Sequence, residues 1–493
     1  MAGMSDVRDI VRGVLASMFG FGGRLVARAI LMIVAARAYG MEALGLLGIV
    51  AATTEIVAGI GVLGLKRGLL DFLSYDEERG RAPQSRILEA FGLGLSVTLL
   101  AVVVVTCALT LFWPDLTKLA PIILITAPMI VVSEIALTAI KFKRVIGWDV
   151  AIRGAIEPWG FVLLAFLFLQ VDNIQSGLLW AYVGSFAISA VFAVIGVLRI
   201  YGPKTFLQAQ PQFSELMNIP KRSTSVGIAD LGFLAFRRVD LIVLSAFVSA
   251  EAVGLYYAVQ QIATIPQRIY SLFEPMMSPV IARLHNRMDA KRIKSTLIGV
   301  CRWVLIIQLA VTVPMVVYGD HLLHIFGPSY AIGAGVLAVV LIGELVDGSF
   351  MAVETPLLFA RPKIPPILII GALLIEVISI AALAPTMGVY GAGFGFFFAM
   401  LALSIGRLVM IHRHLLITVV NPSYVAPVIF SLGLAAVLTY TRRWISPGDG
   451  ALIVLLFIMS ISTYLSLVRK FALTSSDRVI MRAIFKRRKP SIS

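Results

Sequence analysis

The residues here with the greatest chemical potential are charges placed where charge is costly. Arg24 and Arg28 stand four apart inside an apolar run and share one helix face. Asp230, Arg237 and Asp240, at spacings of seven and three, share a face of another run, while Arg238 falls off it. Arg268 follows Gln260, Gln261 and Pro266 in the next run. Glu55, Glu134, Glu157, Glu344, Asp347 and Glu376 are scattered through further apolar segments. A charge at the bilayer centre costs about 2.5–3.5 kcal/mol on insertion scales, so it faces a partner or a hydrated cavity. Arg24, Arg28, Arg237 and Arg268 are therefore candidates to line a cationic cavity, since a guanidinium grips phosphate through paired N–H donors. The competing reading is structural: Arg237 neutralised by Asp240 on its own helix, and Arg24 snorkelling to the interface. Asp230, Asp240, Glu55 and Glu344 are candidates for ion coupling or for charge pairing.

Other chemistry finds little support. The sequence has no G-x-x-x-x-G-K-[ST], so no ATP-driven motor, and no H-E-x-x-H. His321 and His324 fall in a short loop and are not expected to hold a metal. No Ser/His/Asp arrangement stands out. No catalytic residue, metal or cofactor is expected, and the chain reads as a non-enzyme. Cys107 and Cys301 read as small buried hydrophobes.

The elements that must position these charges are membrane helices. The chain has 493 residues, 59% hydrophobic and only 14% charged, with a mean hydropathy of +0.94. This excludes an ordinary cytosolic enzyme and a disordered chain. Fourteen segments are long and apolar enough to cross a bilayer: 14–36, 43–65, 87–111, 119–140, 154–170, 177–198, 224–247, 252–276, 299–318, 331–352, 365–385, 389–411, 424–440 and 450–468. The first span lacks a signal-peptide cleavage site and is expected to stay. With the N-terminus inside, the inner loops and tail carry most of the 42 Lys and Arg, whereas the outer loops carry only Arg37, Lys118, Arg442 and Arg443. That bias puts both termini in the cytoplasm. It also accounts for the net charge of +15 without nucleic acid. No loop is long enough to hold a soluble catalytic domain. Pro266, Pro275, Pro279, Pro314 and Pro356 interrupt spans and mark kinks or a bending gate in the eighth. The tail, with Lys486, Arg487, Arg488 and Lys489, is expected along the anionic inner leaflet.

The chain also repeats itself. At an offset of 209 residues, Gly23, Leu25, Arg28, Ile33, Val34, Glu42, Ala43, Gly45, Leu46 and Val50 meet identical residues, so Arg28 corresponds to Arg237 and Gly45 to Gly254. The repeat unit is six spans, an even number, so both copies enter from the same side. They are then related by a pseudo-two-fold along the membrane normal, with substrate between them. The expected organisation is an N-lobe at 1–200, a cytoplasmic linker at 201–222 and a C-lobe at 223–412. Spans 13 and 14 follow at 413–469, then a basic tail at 470–493. The fold class is an all-α polytopic membrane protein.

Three stretches carry a family resemblance: ARAYGMEALGLLGIV at 36–50, RRVDLIVLSAFVSAEAVGLYYAVQQIATIP followed by EPMMSPVIARL, and LLHIFGPSYAIGAGVLAVV at 322–340. With fourteen spans and the repeat, the sequence resembles the polysaccharide-transporter branch of the multidrug/oligosaccharidyl-lipid/polysaccharide (MOP) exporter superfamily, the Wzx-type flippases. The resemblance implies a V-shaped two-lobed bundle in a bacterial inner membrane. It implies translocation of an undecaprenyl-diphosphate-linked oligosaccharide by alternating access, for exopolysaccharide, O-antigen or capsule. Polysaccharide polymerase and chain-length or export proteins are partners it would imply. Arg28, Arg237 and Asp240 match positions where the family places intramembrane charge. Within the same fold, a peptidoglycan-precursor flippase or a multidrug exporter are alternatives; the latter would want unpaired carboxylates. A membrane polymerase or ligase is a further alternative, and would want a large outer loop.

Overall fold

The computed structural model describes residues 22–62, 64–80, 82–112, 114–170, 174–211, 227, 230–444, 450–473 and 477. Its regular structure over those residues is entirely helical. Apolar windows dictate this, because a backbone surrounded by hydrocarbon must satisfy its own hydrogen bonds within each segment. The helices are α1 (22–34), α2 (Gly40–Val62), α3 (Leu65–Glu78), α4 (Pro83–Phe112), α5 (Ala120–Phe142), α6 (Ile146–Ala151), α7 (Glu157–Leu167), α8 (Ile174–Tyr201), α9 (Pro203–Leu207), α10 (230–236) and α11 (Val239–Leu244). They continue as α12 (Ala250–Ser271), α13 (Glu274–Asn286), α14 (Ala290–Val317), α15 (Gly319–His324), α16 (Ala334–Phe350), α17 (Glu354–Ala360), α18 (Ile364–Met387), α19 (Val389–Leu415), α20 (Val425–Arg442) and α21 (Gly450–Leu467).

Eleven segments among the described residues are long and apolar enough to span a membrane, against fourteen expected from sequence. The difference has physical causes. The first two expected spans form one 41-residue helical stretch, Gly22–Val62. A straight helix of that length would be about twice the hydrocarbon thickness. Gly40 breaks it, with φ 87° and ψ 177°, a conformation that favours glycine. The seventh and eighth expected spans do not qualify. Part of 224–247 lies outside the described residues, and the rest is split into α10 and α11 at Arg237 and Arg238. The eighth is α12, rich in polar residues, which ends at Ser271 before α13 begins at Glu274. Part of the linker and most of the basic tail lie outside the described residues.

The expected proline interruptions take different forms. Pro275 and Pro356 sit in the first turns of α13 and α17, where a missing N–H costs nothing. Pro266 lies inside α12, and its carbonyl accepts a hydrogen bond from Gln308 Nε2 on α14 at 3.3 Å.

The chain packs as two compact units, residues 1–257 and 258–493. The core of the first gathers Leu69 and Leu73 of α3, Ile87 of α4, Ile135 and Ile140 of α5 and Val197 of α8. Its α3 is clamped to α4 by Arg86, which bonds Asp76 at 2.9 Å and Glu89 at 2.8 Å. In the second unit, Leu297 and Val304 of α14 pack with Leu357 of α17 and Ile411 of α19.

Within the first unit the repeat becomes physical. A Cβ on Gly45 would lie 1.8 Å from the Ala250 carbonyl oxygen, and one on Gly254 would lie 2.0 Å from that of Met41. Met41 and Ala250 are themselves related by the offset of 209. So are Gly48 and Tyr257, where a Cβ on Gly48 would lie 3.0 Å from the Tyr257 ring. Residue i meets residue j and j's counterpart meets i's, the signature of an isologous two-fold contact. Only glycine permits backbones to approach this closely.

Candidate functional site

A cavity of about 340 Å³ opens among helices of the first unit. α1 contributes Arg24 and Arg28, α2 contributes Leu47, Ala51 and Glu55, and α5 contributes Glu134. Arg153 enters from a π-helical turn, Ile152–Ile156, that joins α6 to α7. Such widened turns rotate the following helix and recur at functional sites. Glu157 and Phe161 of α7, Tyr182, Ser185 and Phe186 of α8, Leu234, Arg238 and Tyr257 complete most of the wall.

The charges of this wall are organised. Arg238 forks onto Glu55, Nε to Oε2 at 2.8 Å and the second nitrogen to Oε1 at 3.1 Å. Arg153 bonds Glu134 at 2.8 Å and Asp149 at 3.0 Å. Glu157 accepts a hydrogen bond from Ser189 Oγ at 3.2 Å, and Ser189 in turn meets Ser133 at 3.1 Å. Arg28 lies in electrostatic range of Arg24, Arg238, Glu55 and Tyr257. Arg24 is exposed, acts electrostatically on Glu157, and makes no hydrogen bond or ion pair among the described residues. Glu55 and Glu134 are thus matched by guanidinium groups, and the cavity keeps a cationic surplus.

Of the sequence candidates, Arg24, Arg28 and Glu55 come together in this cavity. Arg237, Asp230 and Asp240 are in the same unit but outside the lining. Arg237 lies over the Phe233 ring at 5.8 Å. Asp230 is exposed. Asp240 is buried and accepts hydrogen bonds from Tyr256 Oη at 3.0 Å and the Leu241 amide at 2.8 Å. Arg268 and the buried Glu344 belong to the second unit. Arg238, which a continuous helical wheel turns away, is the residue that reaches the cavity. The wheel fails because the helix breaks there: Arg238 caps α11 with φ −135° and ψ −20°. Arg153 was missed because it read as a loop charge before a span. Asp149, Arg153 and Glu157 at successive spacings of four were the available signal. No group of three or more metal-ligating side chains occurs among the described residues.

Comparison with solved structures places this all-helical bundle among known folds. A structure of the lipid II flippase MurJ in an inward closed conformation is similar with a TM-score of 0.70 and 15% identity, over 93% of this chain and 99% of that one. An inward-facing multidrug resistance MATE family transporter of the MOP superfamily is similar with a TM-score of 0.64 and 12% identity, over 81% and 98%. A MOP superfamily transporter from Pyrococcus furiosus, described as having a binding pocket of reverse polarity, gives 0.51 and 14%, over 83% and 95%. The fold is therefore that of the MOP transporters. No curated protein sequence matches the chain. Residues 10–285, more than half of the chain, match the family model for polysaccharide biosynthesis proteins, and the chain belongs to that family.

Proposed function

We propose that this protein is a flippase that moves an undecaprenyl-diphosphate-linked oligosaccharide across the bacterial inner membrane by alternating access. In this reading it works with both termini in the cytoplasm and hands its cargo to a polysaccharide polymerase. Diphosphate and sugar hydroxyls cannot cross hydrocarbon without partners. A hydrated cleft supplies them while the prenyl tail stays in lipid. No bond is made or broken, so the protein is not an enzyme in this reading.

One observation carries the proposal. Arg24 presents a guanidinium to the cavity with no ion pair among the described residues, whereas Glu55 and Glu134 are already matched. A cavity for organic cations would have the opposite surplus, which disfavours the multidrug reading. The peptidoglycan-precursor reading shares the diphosphate, so only the cargo separates them.

The test is a deletion strain complemented with wild type or Arg24→Ala, with lipid-linked oligosaccharide assayed by leaflet. We expect the deletion to trap the lipid on the cytoplasmic leaflet and stop polymer export. Arg24→Ala, present at normal levels, should restore less than about a tenth of export, as expected when a charged hydrogen-bonding group is lost. Full restoration by Arg24→Ala would refute the role of the cavity. An unchanged lipid pool in the deletion strain would refute the flippase.

A further inference from the structure

Away from the cavity, two turns of the second unit combine backbone strain with an apolar side chain turned outward. Met288, between α13 and α14, has φ 53° and is 84% exposed. Leu416, which caps the end of α19, has φ 53° and is 82% exposed. The left-handed region suits glycine or asparagine, so each position carries strain that a smaller residue would avoid. In water an exposed Met or Leu returns nothing for that strain. The two turns hang from one core: Ile281 and Ile293 flank the first, Ile411 and Ile417 flank the second, and all four share a buried cluster.

The chain around these tips is basic. α13 turns Met277 and Ile281 inward, and Met276, Arg283 and Arg287, at spacings of seven and four, form its exposed stripe. Lys291 and Lys294 follow, exposed, in the first turns of α14, and Arg413 stands exposed just before Leu416. The side chains of Arg287, Lys291, Lys294 and Arg413 make no hydrogen bond or ion pair among the described residues. Two carboxylates lie in the stretch from α13 into α14. Glu274 opens α13, and Asp289 is engaged by Arg292, through its side chain at 3.3 Å and its amide at 3.1 Å. The repeat does not dictate this charge. α3 and α13 begin at positions 65 and 274, related by the same offset of 209, yet where α13 and its cap have Arg283 and Arg287, α3 has Ser74 and Glu78. Depth suits a lipid surface. The 28 residues of α14 extend about 42 Å, against about 30 Å of hydrocarbon, and its apolar run begins only near residue 299. Its first turns therefore reach the headgroup layer.

We propose that this rim of the second unit is a docking surface for anionic phospholipid. Met288 and Leu416 enter the acyl-chain boundary, and Arg287, Lys291, Lys294 and Arg413 hold the headgroup phosphates. A zwitterionic lipid would accept the apolar tips and leave the positive charge unbalanced. A soluble anion would balance the charge and leave the tips in water. Anionic lipid uses both, and the Lys and Arg bias of the loops assigns this rim to the cytoplasmic side, where the leaflet is anionic. The surface is separate from the cavity and does not depend on the identity of the cargo.

The test titrates full-length protein in detergent with dioleoylphosphatidylglycerol or dioleoylphosphatidylcholine and follows the first bound lipid by native mass spectrometry. The acyl chains are the same, so the difference reports the headgroup. We expect phosphatidylglycerol to bind about tenfold tighter, and Arg287→Gln, Lys291→Gln and Lys294→Gln together to cut that preference to about twofold, since each cation near an anionic surface is worth about fivefold. These side chains bond nothing among the described residues, so the variant should fold. Met288→Gly should weaken both lipids alike, by about threefold, while its melting temperature does not fall, because glycine relieves the positive φ. Changing Lys486, Arg487, Arg488 and Lys489 of the tail to Gln should leave the preference in place. Equal affinity for the two lipids in wild type, a full preference in the triple variant, or its loss in the tail variant would overturn the surface. Displacement of phosphatidylglycerol by an equal concentration of glycerol 3-phosphate would replace it with a site for soluble anions. A fall in melting temperature in Met288→Gly without loss of lipid affinity would make Met288 a residue of the fold and not an anchor.

Discussion

Arg407 in the second unit and Arg24 in the first are both arginines within apolar helical segments, and they are treated in opposite ways. Arg407 is 2% exposed, and its guanidinium bonds Asp347 and, at 2.7 Å, Glu354. One cation meets two carboxylates, one from α16 and one from the start of α17, so the guanidinium itself is enclosed. Arg24 is exposed beside a cavity and makes no pair among the described residues. Between these extremes stand Arg238 and Arg153, paired but lining the cavity, with side chains 18% and 30% exposed. Residue type and spacing therefore do not separate an enclosed charge from one left open to a cavity. Completion of its hydrogen-bonding shell by other helices does.

Removing the two arginines in parallel separates their roles. Arg407→Leu leaves Asp347, itself only 3% exposed, without its cation. Orphaning one member of a buried ion pair costs about 3–5 kcal/mol. We expect a large fall in melting temperature in detergent and poor membrane yield. Arg24→Ala breaks no hydrogen bond or ion pair among the described residues and should stay within about 0.5 kcal/mol of wild type. A stable Arg407→Leu, or an unstable Arg24→Ala, would abolish the distinction.

Gly45→Val tests a purely steric element of the first unit. The added Cβ would fall within 1.8 Å of a backbone oxygen that cannot rotate aside. Overpacking costs about 1–3 kcal/mol in ordinary cores. The same helices carry Leu47, Ala51 and Tyr257 into the cavity wall, so stability and transport should fall together. If melting temperature falls while transport holds, the crossing does not shape the cavity.

Much of this was legible in the sequence. Apolar windows located the helices, and the offset of 209 paired Gly45 with Gly254 as equivalent positions, with no sign in the sequence that the two meet. Arg24, Arg28 and Glu55 were recognisable because a charge in an apolar run has so few physical explanations. What was hidden depended on helix irregularity and on tertiary partners. Arg238 was obscured by the break before α11, and Arg153 by a π-helical turn that lies inside a membrane span. Arg407 lies near the end of the expected span 389–411, and nothing near it in sequence reveals that Asp347 and Glu354 enclose it.

The smallest effect concerns a charge cluster that is only half enclosed. In the second unit, outside the spanning segments, Asp320 accepts hydrogen bonds from His321 Nδ1 at 2.8 Å and from Arg442 at 2.6 Å. Burial pushes its carboxyl up, but the hydrogen bond from His321 and the charges of His321 and Arg442 outweigh this and hold it below the usual 3.8. A carboxyl lowered by folding contributes stability in full above its unfolded value of about 3.9. That contribution is lost as pH falls through the lower folded value. Side-chain exposures of 23% for Asp320 and 42% for Arg442 leave the pair screened by solvent, so its worth is about 0–1 kcal/mol. Asp320→Asn should therefore melt slightly below wild type at pH 7, and the two melting curves should converge as the pH drops below about 4. A gap that persisted unchanged into acid would show that the carboxylate charge is not what matters there. Convergence would show that exposure alone does not make a site, because a partly exposed carboxylate whose partners are in place still serves the fold.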